Sequence, residues 1–216
     1  VLVEPQMGEN IGAAGRAMGN FGLDRMRIVN PRDGWPNPKA QAMSSGAGRV
    51  MDAVNVVDTT AEAVADLNYV FATTARNRDL AKEIMTPERA MEHARALIGQ
   101  GQKVGIMFGP ERAGLENEDI AHANALISVP VNPAFASLNL AQCVLLLAYE
   151  WRRQTGEVPA QVMELAGTDC ATGLEVQKLG ERMEEALDER GFFWPEDKAE
   201  SMVLTLRNMM TRLDLT

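Results

Sequence analysis

Short apolar runs alternate with helix-like segments through the first 150 residues, and this alternation restricts the fold more than any other feature of the chain. Val1–Val3, Arg27–Val29, Val54–Val57, Tyr69–Thr73, Val104–Phe108 and Ala125–Val129 read as strands. Between them, Asn10 to about Phe21, Ala40–Gly46, Thr60–Leu67, Thr86–Ile98, Glu116–Ala123 and Asn139–Thr155 read as helices. Thr86-Pro87 is a helix-start signal, a cap residue followed by proline in the first turn. Strands that alternate with helices predict an α/β fold with a mostly parallel sheet, covered on both faces. Residues 31–38 carry three prolines and a glycine and read as loop.

The alternation stops near residue 154. Residues 155–172 are turn-rich and aperiodic, the pattern of a linker. The predicted organisation is therefore one domain over 1–154, a linker over 155–172 and a helical extension over 173–216. Leu174–Glu189 and Ser201–Leu213 carry the helical spacing of that extension, with Phe192-Phe193-Trp194-Pro195 between them. The chain opens at Val1, already inside a strand, and breaks off at Thr216, so it reads as trimmed.

Two cysteines and two histidines exclude a disulfide framework and a zinc cluster, and a reduced cytoplasmic protein without a metal is expected. No apolar stretch reaches the roughly 18 residues of a membrane span. The longest, Cys143–Tyr149, is expected to be core. The net charge of −9 argues against a generic nucleic-acid coat protein. That charge is uneven, however: residues 1–50 carry +2, 51–149 carry −5, 150–200 carry −7 and the last sixteen +1. Any nucleic acid would be gripped locally, by the N-terminal part.

Three segments at predicted strand ends carry the candidate chemistry. The first is Asn10-Ile-Gly12-Ala-Ala-Gly15-Arg16, within the glycine series Gly8, Gly12, Gly15 and Gly19. The spacing is wrong for a dinucleotide fingerprint, and close packing against another backbone is the favoured reading. Arg16, on a helix of small residues, is either a solvated charge or a placed anion ligand. The second is Phe108-Gly-Pro-Glu-Arg-Ala-Gly-Leu115, at the edge of the sheet where ligands bind in α/β folds; its Glu111 and Arg112 are otherwise an ordinary solvated ion pair. The third runs from Val129 through Asn132-Pro133 to Ala136-Ser137-Leu138-Asn139, where Ser137 is a candidate helix cap. A serine hydrolase is excluded for want of a nucleophile elbow, and His93 and His122 are expected at the surface.

In this order, Asn10-x-Gly12-x-x-x-Arg16, Phe108-Gly109-Pro-Glu111-Arg-x-Gly114-Leu115 and Ser137-Leu138-Asn139-Leu140 resemble the three motifs of the SpoU/TrmH group of SPOUT RNA methyltransferases. Thr73-Thr74-Ala75-Arg76-Asn-Arg78, Asn132-Pro133 and Ala148-Tyr149-Glu150 resemble the TrmJ branch, which 2′-O-methylates position 32 of the tRNA anticodon loop. The helical tail with Gly191-Phe192 resembles that branch's C-terminal extension. The likeness covers residues 1 to about 154. It implies a C-terminal trefoil knot, a homodimer and S-adenosylmethionine as cofactor. Matched residue by residue, Thr73, Thr74 and Ala75 fall on the first cofactor loop and Gly109 on the second. Val129 falls on an adenine-side contact, and Ala136, Ser137 and Leu138 on the third loop. Ala136 stands where serine is frequent, so only a backbone contact survives there. Pro110 replaces the asparagine or arginine common in relatives.

The resemblance assigns activation of the ribose 2′-OH to Arg16. A guanidinium with a pKa above about 12 is an awkward base. It better suits stabilising a developing alkoxide, or fixing a neighbouring phosphate. Asn10 and Asn139 would orient the ribose and Arg16. Glu111 would pair with a guanidinium or organise its loop, and Ser137 would hold the third loop. Arg25, Arg27, Arg76 and Arg78, with Arg32, Lys39 and Arg49, are the candidate phosphate contacts to tRNA. Ribosomal RNA methylation, a non-catalytic RNA-binding paralogue and a small-molecule α/β enzyme are the alternatives.

Overall fold

The computed structural model describes residues 1–75, 81–156 and 167–216. Two compact units form, Val1–Val158 and Pro159–Thr216.

The first unit is the α/β fold expected from the alternation. Its strands are β1 (Leu2–Val3), β2 (Arg27–Val29), β3 (Asn55–Val57), β4 (Tyr69–Thr73), β5 (Ile84–Met85), β6 (Val104–Met107) and β7 (Ala125–Ile127). Every recorded pairing is parallel: β1 with β2, β2 with β3, β4 with β6 and with β7, and β5 with β7. A parallel bridge between Leu2 and Phe108 joins β1 to the end of β6, so the strands run in the order β3-β2-β1-β6-β4-β7-β5. The helices are α1 (Gly8–Asn20), α2 (Pro38–Ser44), α3 (Gly48–Met51), α4 (Thr60–Val64), α5 (Pro87–Gly99), α6 (Asn117–Ala121) and α7 (Leu140–Arg153).

Successive strand residues point to opposite faces, and both faces are dry along the central strands, whereas the edge strand β3 is largely exposed. Leu2, Ile28, Phe71 and Ile127 pack with Ile11, Ala14, Met91, Val144 and Leu147 on one side. Val3, Val29, Val70, Ala72, Met107 and Leu126 pack with Ala63, Leu115 and Ile120 on the other. Burial on both faces is why these strands read as unbroken apolar runs.

The glycine series in α1 serves packing, as its spacing predicted. A Cβ on Gly12 would lie 2.1 Å from the Ala40 carbonyl oxygen of α2, and one on Gly15 would lie 2.6 Å from Met51 Sδ. These absences let α1 cross α2 and α3 closely enough to lay its motif residues against the sheet edge.

Several expectations need correction. α1 begins at Gly8, not Asn10. The short elements β5 and α3 were not foreseen. The run Cys143–Tyr149 is only half core: Val144, Leu147 and Ala148 are buried, whereas Leu145 is 40% and Tyr149 47% exposed. It is one amphipathic face of α7. His93 is only partly at the surface: it is half-buried, its ring edge-on to Tyr69, with centroids 5.1 Å apart, and near Phe71. His122 is exposed, as expected.

The second unit contains α8 (Gly173–Asp188) and α9 (Glu196–Met210). Thr172 and Glu175 form a capping box at the start of α8. Arg207 donates to both carboxylate oxygens of Glu184, at 2.5 and 2.7 Å, tying the two helices together. α9 starts five residues before the expected Ser201, directly after Pro195, a residue suited to a helix start.

Candidate functional site

Three loops leave the carboxyl ends of β4, β6 and β7 and line one cleft of about 310 Å³. Thr73, Thr74 and Ala75 come from the first loop, Gly109 from the second, and Val129, Ala136, Ser137 and Leu138 from the third. All eight residues expected at the cofactor therefore line the same space. Thr73 Oγ1 donates to the Met107 carbonyl at 3.1 Å, and the Thr74 N–H donates to the Ile127 carbonyl at 2.9 Å. The first loop is thereby pinned between the ends of its two neighbours.

The second loop is folded tightly on itself. A Cβ on Gly109 would lie 2.1 Å from the Leu115 nitrogen and 2.4 Å from the Gly114 carbonyl carbon, so only glycine fits. The Gly114 N–H donates to the Pro110 carbonyl at 3.0 Å, and Gly114 takes a positive φ of 69°. Leu115 is buried and anchors the loop.

A chain of hydrogen bonds joins the three motifs. Asn139 Nδ2 donates to Asn10 Oδ1 at 3.0 Å, and Asn10 Nδ2 donates to Glu111 Oε1 at 2.6 Å. The Gln6 main-chain N–H donates to the other carboxylate oxygen, Glu111 Oε2, at 2.8 Å. Glu111 thus organises its loop rather than forming a solvated pair with Arg112. Ser137 does not cap α7; it is exposed in the cleft wall. The cap is Asn139, whose Oδ1 accepts from the N–H groups of Ala141 and Gln142, while the Gln142 side chain returns to the Asn139 N–H. The glutamine three residues on completes a capping box that Ser137 lacks.

Arg16 is not brought into this cleft. It is exposed on α1 and borders a separate hollow with Ser45, Gly46 and Arg49. Of the expected phosphate ligands, Arg27 is spent in the structure. It donates to both oxygens of Asp66, at 2.5 and 3.1 Å, and to the Ala63 carbonyl. The Arg27 guanidinium holds the Asp66 carboxyl well below the usual carboxylate range, with Lys103 adding to the effect. Arg32 pairs with Asp33, Lys39 with Glu9 and Arg49 with Asp24. Arg25 is exposed and has no acidic partner among the described residues. Arg76 and Arg78 lie outside the described residues.

The cleft suits a nucleoside-type cofactor. Its size falls within the range of small-molecule sites. Phe108, Val129, Leu138 and Leu140 supply apolar walls beside the main chain of three loops. Among the described residues, the one cationic side chain that lines it, Arg112, is exposed, so none of them sets a buried positive charge against a sulfonium. Burial pushes the Cys143 thiol in the cleft wall up to about 11. Among the described residues no group of His, Cys, Asp or Glu could hold a metal ion, and no helix is long and apolar enough to cross a membrane.

Residues 1–149 match the model of the SpoU rRNA Methylase family. The chain belongs to the SpoU methylase family. It is similar to the tRNA (cytidine/uridine/adenosine-2′-O-)-methyltransferase TrmJ of Pseudomonas aeruginosa strain UCBPP-PA14, with 32% identity over 220 residues, 98% of this chain and 85% of that protein. The crystal structure of TrmJ from Z. mobilis ZM4 superposes with a TM-score of 0.84 at 48% identity, covering 99% of this chain and 89% of that one. AviRb from Streptomyces viridochromogenes, solved in complex with AdoMet, shares the fold at 18% identity and a TM-score of 0.53, over 71% of this chain and 56% of that one. The three segments singled out in the sequence thus meet at the Asn139–Asn10–Glu111 chain. Sequence reasoning missed two contributors to that meeting point. Gln6 acts through its main chain and leaves no sequence signal, whereas Gln142 could have been found from its spacing to Asn139.

Proposed function

We propose that the chain is a tRNA ribose 2′-O-methyltransferase that uses S-adenosylmethionine and acts on nucleotide 32 of the anticodon loop as a homodimer. The observation that carries this reading is the convergence of three strand-end loops on one cleft, tied together by the Asn139–Asn10–Glu111 hydrogen bonds. The names of its relatives and the spacing of its motifs support the substrate. The same loop convergence fits the trefoil knot expected of the fold.

When bound, S-adenosylmethionine supplies an electrophilic methyl group on a sulfonium. Thr73, Thr74, Ala75 and Gly109 would border it on one side, and Val129, Ala136, Ser137 and Leu138 on the other. Asn10 and Asn139 are held in one orientation by Glu111 and the start of α7, which suits them to fix a ribose. Arg16, always charged, would hold the phosphate beside the reacting 2′-OH and offset the negative charge that grows on the oxygen. Its position outside the cleft of its own chain is the reason to expect two copies: a partner would carry its own Arg16 to this cleft. The exposed apolar face of α7, with Leu145, Leu146 and Tyr149, is a surface such a partner would cover.

The test is methyl transfer from tritiated S-adenosylmethionine to bulk tRNA and to ribosomal RNA, with the modified nucleotide located by mass spectrometry. Label on tRNA at nucleotide 32 is expected. Arg16→Ala should abolish transfer while cofactor affinity stays nearly intact. Label on ribosomal RNA alone, or normal turnover by Arg16→Ala, would sink the assignment.

A further inference from the structure

Arg112 has no role so far, and its setting is unusual. It takes a φ of +78°, the left-handed region that glycine favours and long side chains avoid. The loop could have relieved this with a glycine, as it does at Gly114. Instead it keeps an arginine there, at the cost of backbone strain. Residues held this way cluster at functional sites.

The guanidinium is also unspent. Several described cations of the first unit are tied to acids: Arg27 and Lys103 to Asp66, Arg32 to Asp33, Lys39 to Glu9, Arg49 to Asp24. Arg112 has no hydrogen bond or ion pair among the described residues. The adjacent Glu111 is turned toward Asn10 and the Gln6 main chain, and no ion pair joins it to Arg112. Yet Arg112 lines the mouth of the cleft and is exposed to solvent. A strained, unpaired cation on the cleft wall, next in sequence to the Glu111 that Asn10 binds, is placed to meet an anion that arrives with the substrate.

We propose that Arg112 is an RNA-binding residue that holds a phosphate of the substrate strand next to the nucleotide in the cleft. This rests on the RNA methyltransferase reading above. The guanidinium offers a planar fork of donors that matches phosphate oxygens, and its exposure leaves that fork free to meet a strand arriving from solvent.

Arg112→Gly separates strain from binding, because glycine accepts this φ and removes only the side chain. Its melting temperature should equal that of the wild type or exceed it by up to about 3 °C. Its affinity for tRNA, followed by fluorescence anisotropy, should fall about three- to tenfold, with the slope of log K against log[salt] shallower by about 0.7 to 0.9. Affinity for S-adenosylhomocysteine should not change. Arg112→Lys should recover part of the tRNA affinity, since it restores the charge without the fork. Unchanged tRNA binding by Arg112→Gly, with wild-type binding intact, would overturn the phosphate role alone. Weakened S-adenosylhomocysteine binding with unchanged tRNA affinity would reassign Arg112 to the cofactor. A wild-type protein that binds no tRNA would overturn both this proposal and the RNA methyltransferase reading.

Discussion

Glu111→Gln tests whether the hydrogen bonds that join the three motifs have a fixed direction. One end is set by a helix. Asn139 Oδ1 accepts from the N–H groups of Ala141 at 2.9 Å and Gln142 at 3.3 Å, so its amide nitrogen must be the atom that faces Asn10. Asn10 therefore accepts through Oδ1 and donates through Nδ2 toward position 111. The Gln6 N–H donates to the same position. Residue 111 meets two donors and must offer two acceptors, which a carboxylate does and a carboxamide does not. The new amide would satisfy one donor and turn its own NH₂ on the other. Flipping Asn10 moves the conflict to Asn139, and flipping Asn139 uncaps α7.

The magnitude follows from those alternatives. Losing one hydrogen bond to a charged acceptor costs about 1.5–3 kcal/mol, and the escape through the cap costs about 1 kcal/mol. The network is partly open to water, so about 1–2 kcal/mol is expected, a fall in melting temperature of about 2–8 °C for a chain of this length. Thermal unfolding by circular dichroism reads it directly. A double-mutant cycle between Glu111→Ala and Asn139→Ala should show coupling of at least about 0.5 kcal/mol, carried by Asn10 between residues that do not touch. A Glu111→Gln protein that melts within about 1 °C of wild type, with no coupling in the cycle, would refute the fixed direction.

Three further outcomes are expected. Gly12→Ala pushes a methyl to 2.1 Å from the Ala40 carbonyl oxygen, backbone that cannot swing aside, so α1 and α2 must separate; a loss of about 1–3 kcal/mol in urea unfolding is expected, and a neutral result would remove the close-packing account. Asp66 is held below the usual carboxylate range by Arg27, so its stabilisation is present above the unfolded pKa of about 4 and is lost as pH falls below it. Asp66→Asn should therefore flatten the acid limb of the stability curve, and an unchanged limb would discount the pair. Finally, with its thiol pushed up to about 11 by burial, Cys143 should alkylate far more slowly at pH 8 than exposed Cys170, and S-adenosylhomocysteine should slow it further because it lines the cleft. Equal labelling of the two cysteines, located by peptide mass spectrometry, would contradict this.

Residues whose signal is local were legible in the sequence, and residues that depend on a distant partner were not. The strands of the sheet core stand out because both of their faces are dry, whereas β5 is only two residues long and α3 only four, too short for any period. Ser137 and Asn139 are both competent caps, and only the residue three positions on distinguishes them: Leu140 after Ser137, Gln142 after Asn139. Asn10, Glu111 and Asn139 could be placed at one edge from their motifs. That Glu111 would accept from Gln6 and Asn10, more than 100 residues away, could not be read. His93 looked polar in sequence because the aromatic pair it covers, Tyr69 and Phe71, lies on another element.

The same distinction changes what the charge of the chain means. Counting residues gave +2 for the N-terminal fifty and pointed to that segment as the RNA grip. Pairing removes most of it. Arg27, Arg32, Lys39 and Arg49 each sit against an acid, and of the six cations in that segment Arg16 and Arg25 have no partner among the described residues. Arg112, from a segment of net −5, joins them. A neighbouring carboxylate offsets part of the field a cation offers a phosphate, most firmly at Arg27, the least exposed of the four and bonded to both oxygens of Asp66. On the proposed RNA-binding reading, the described cations best placed for RNA are the unpaired Arg16 and Arg112, which both belong to motifs that converge on strand ends. Substituting a firmly paired cation such as Arg27 should leave the salt dependence of tRNA binding nearly unchanged, while each unpaired arginine removed should lower its slope by about one counterion.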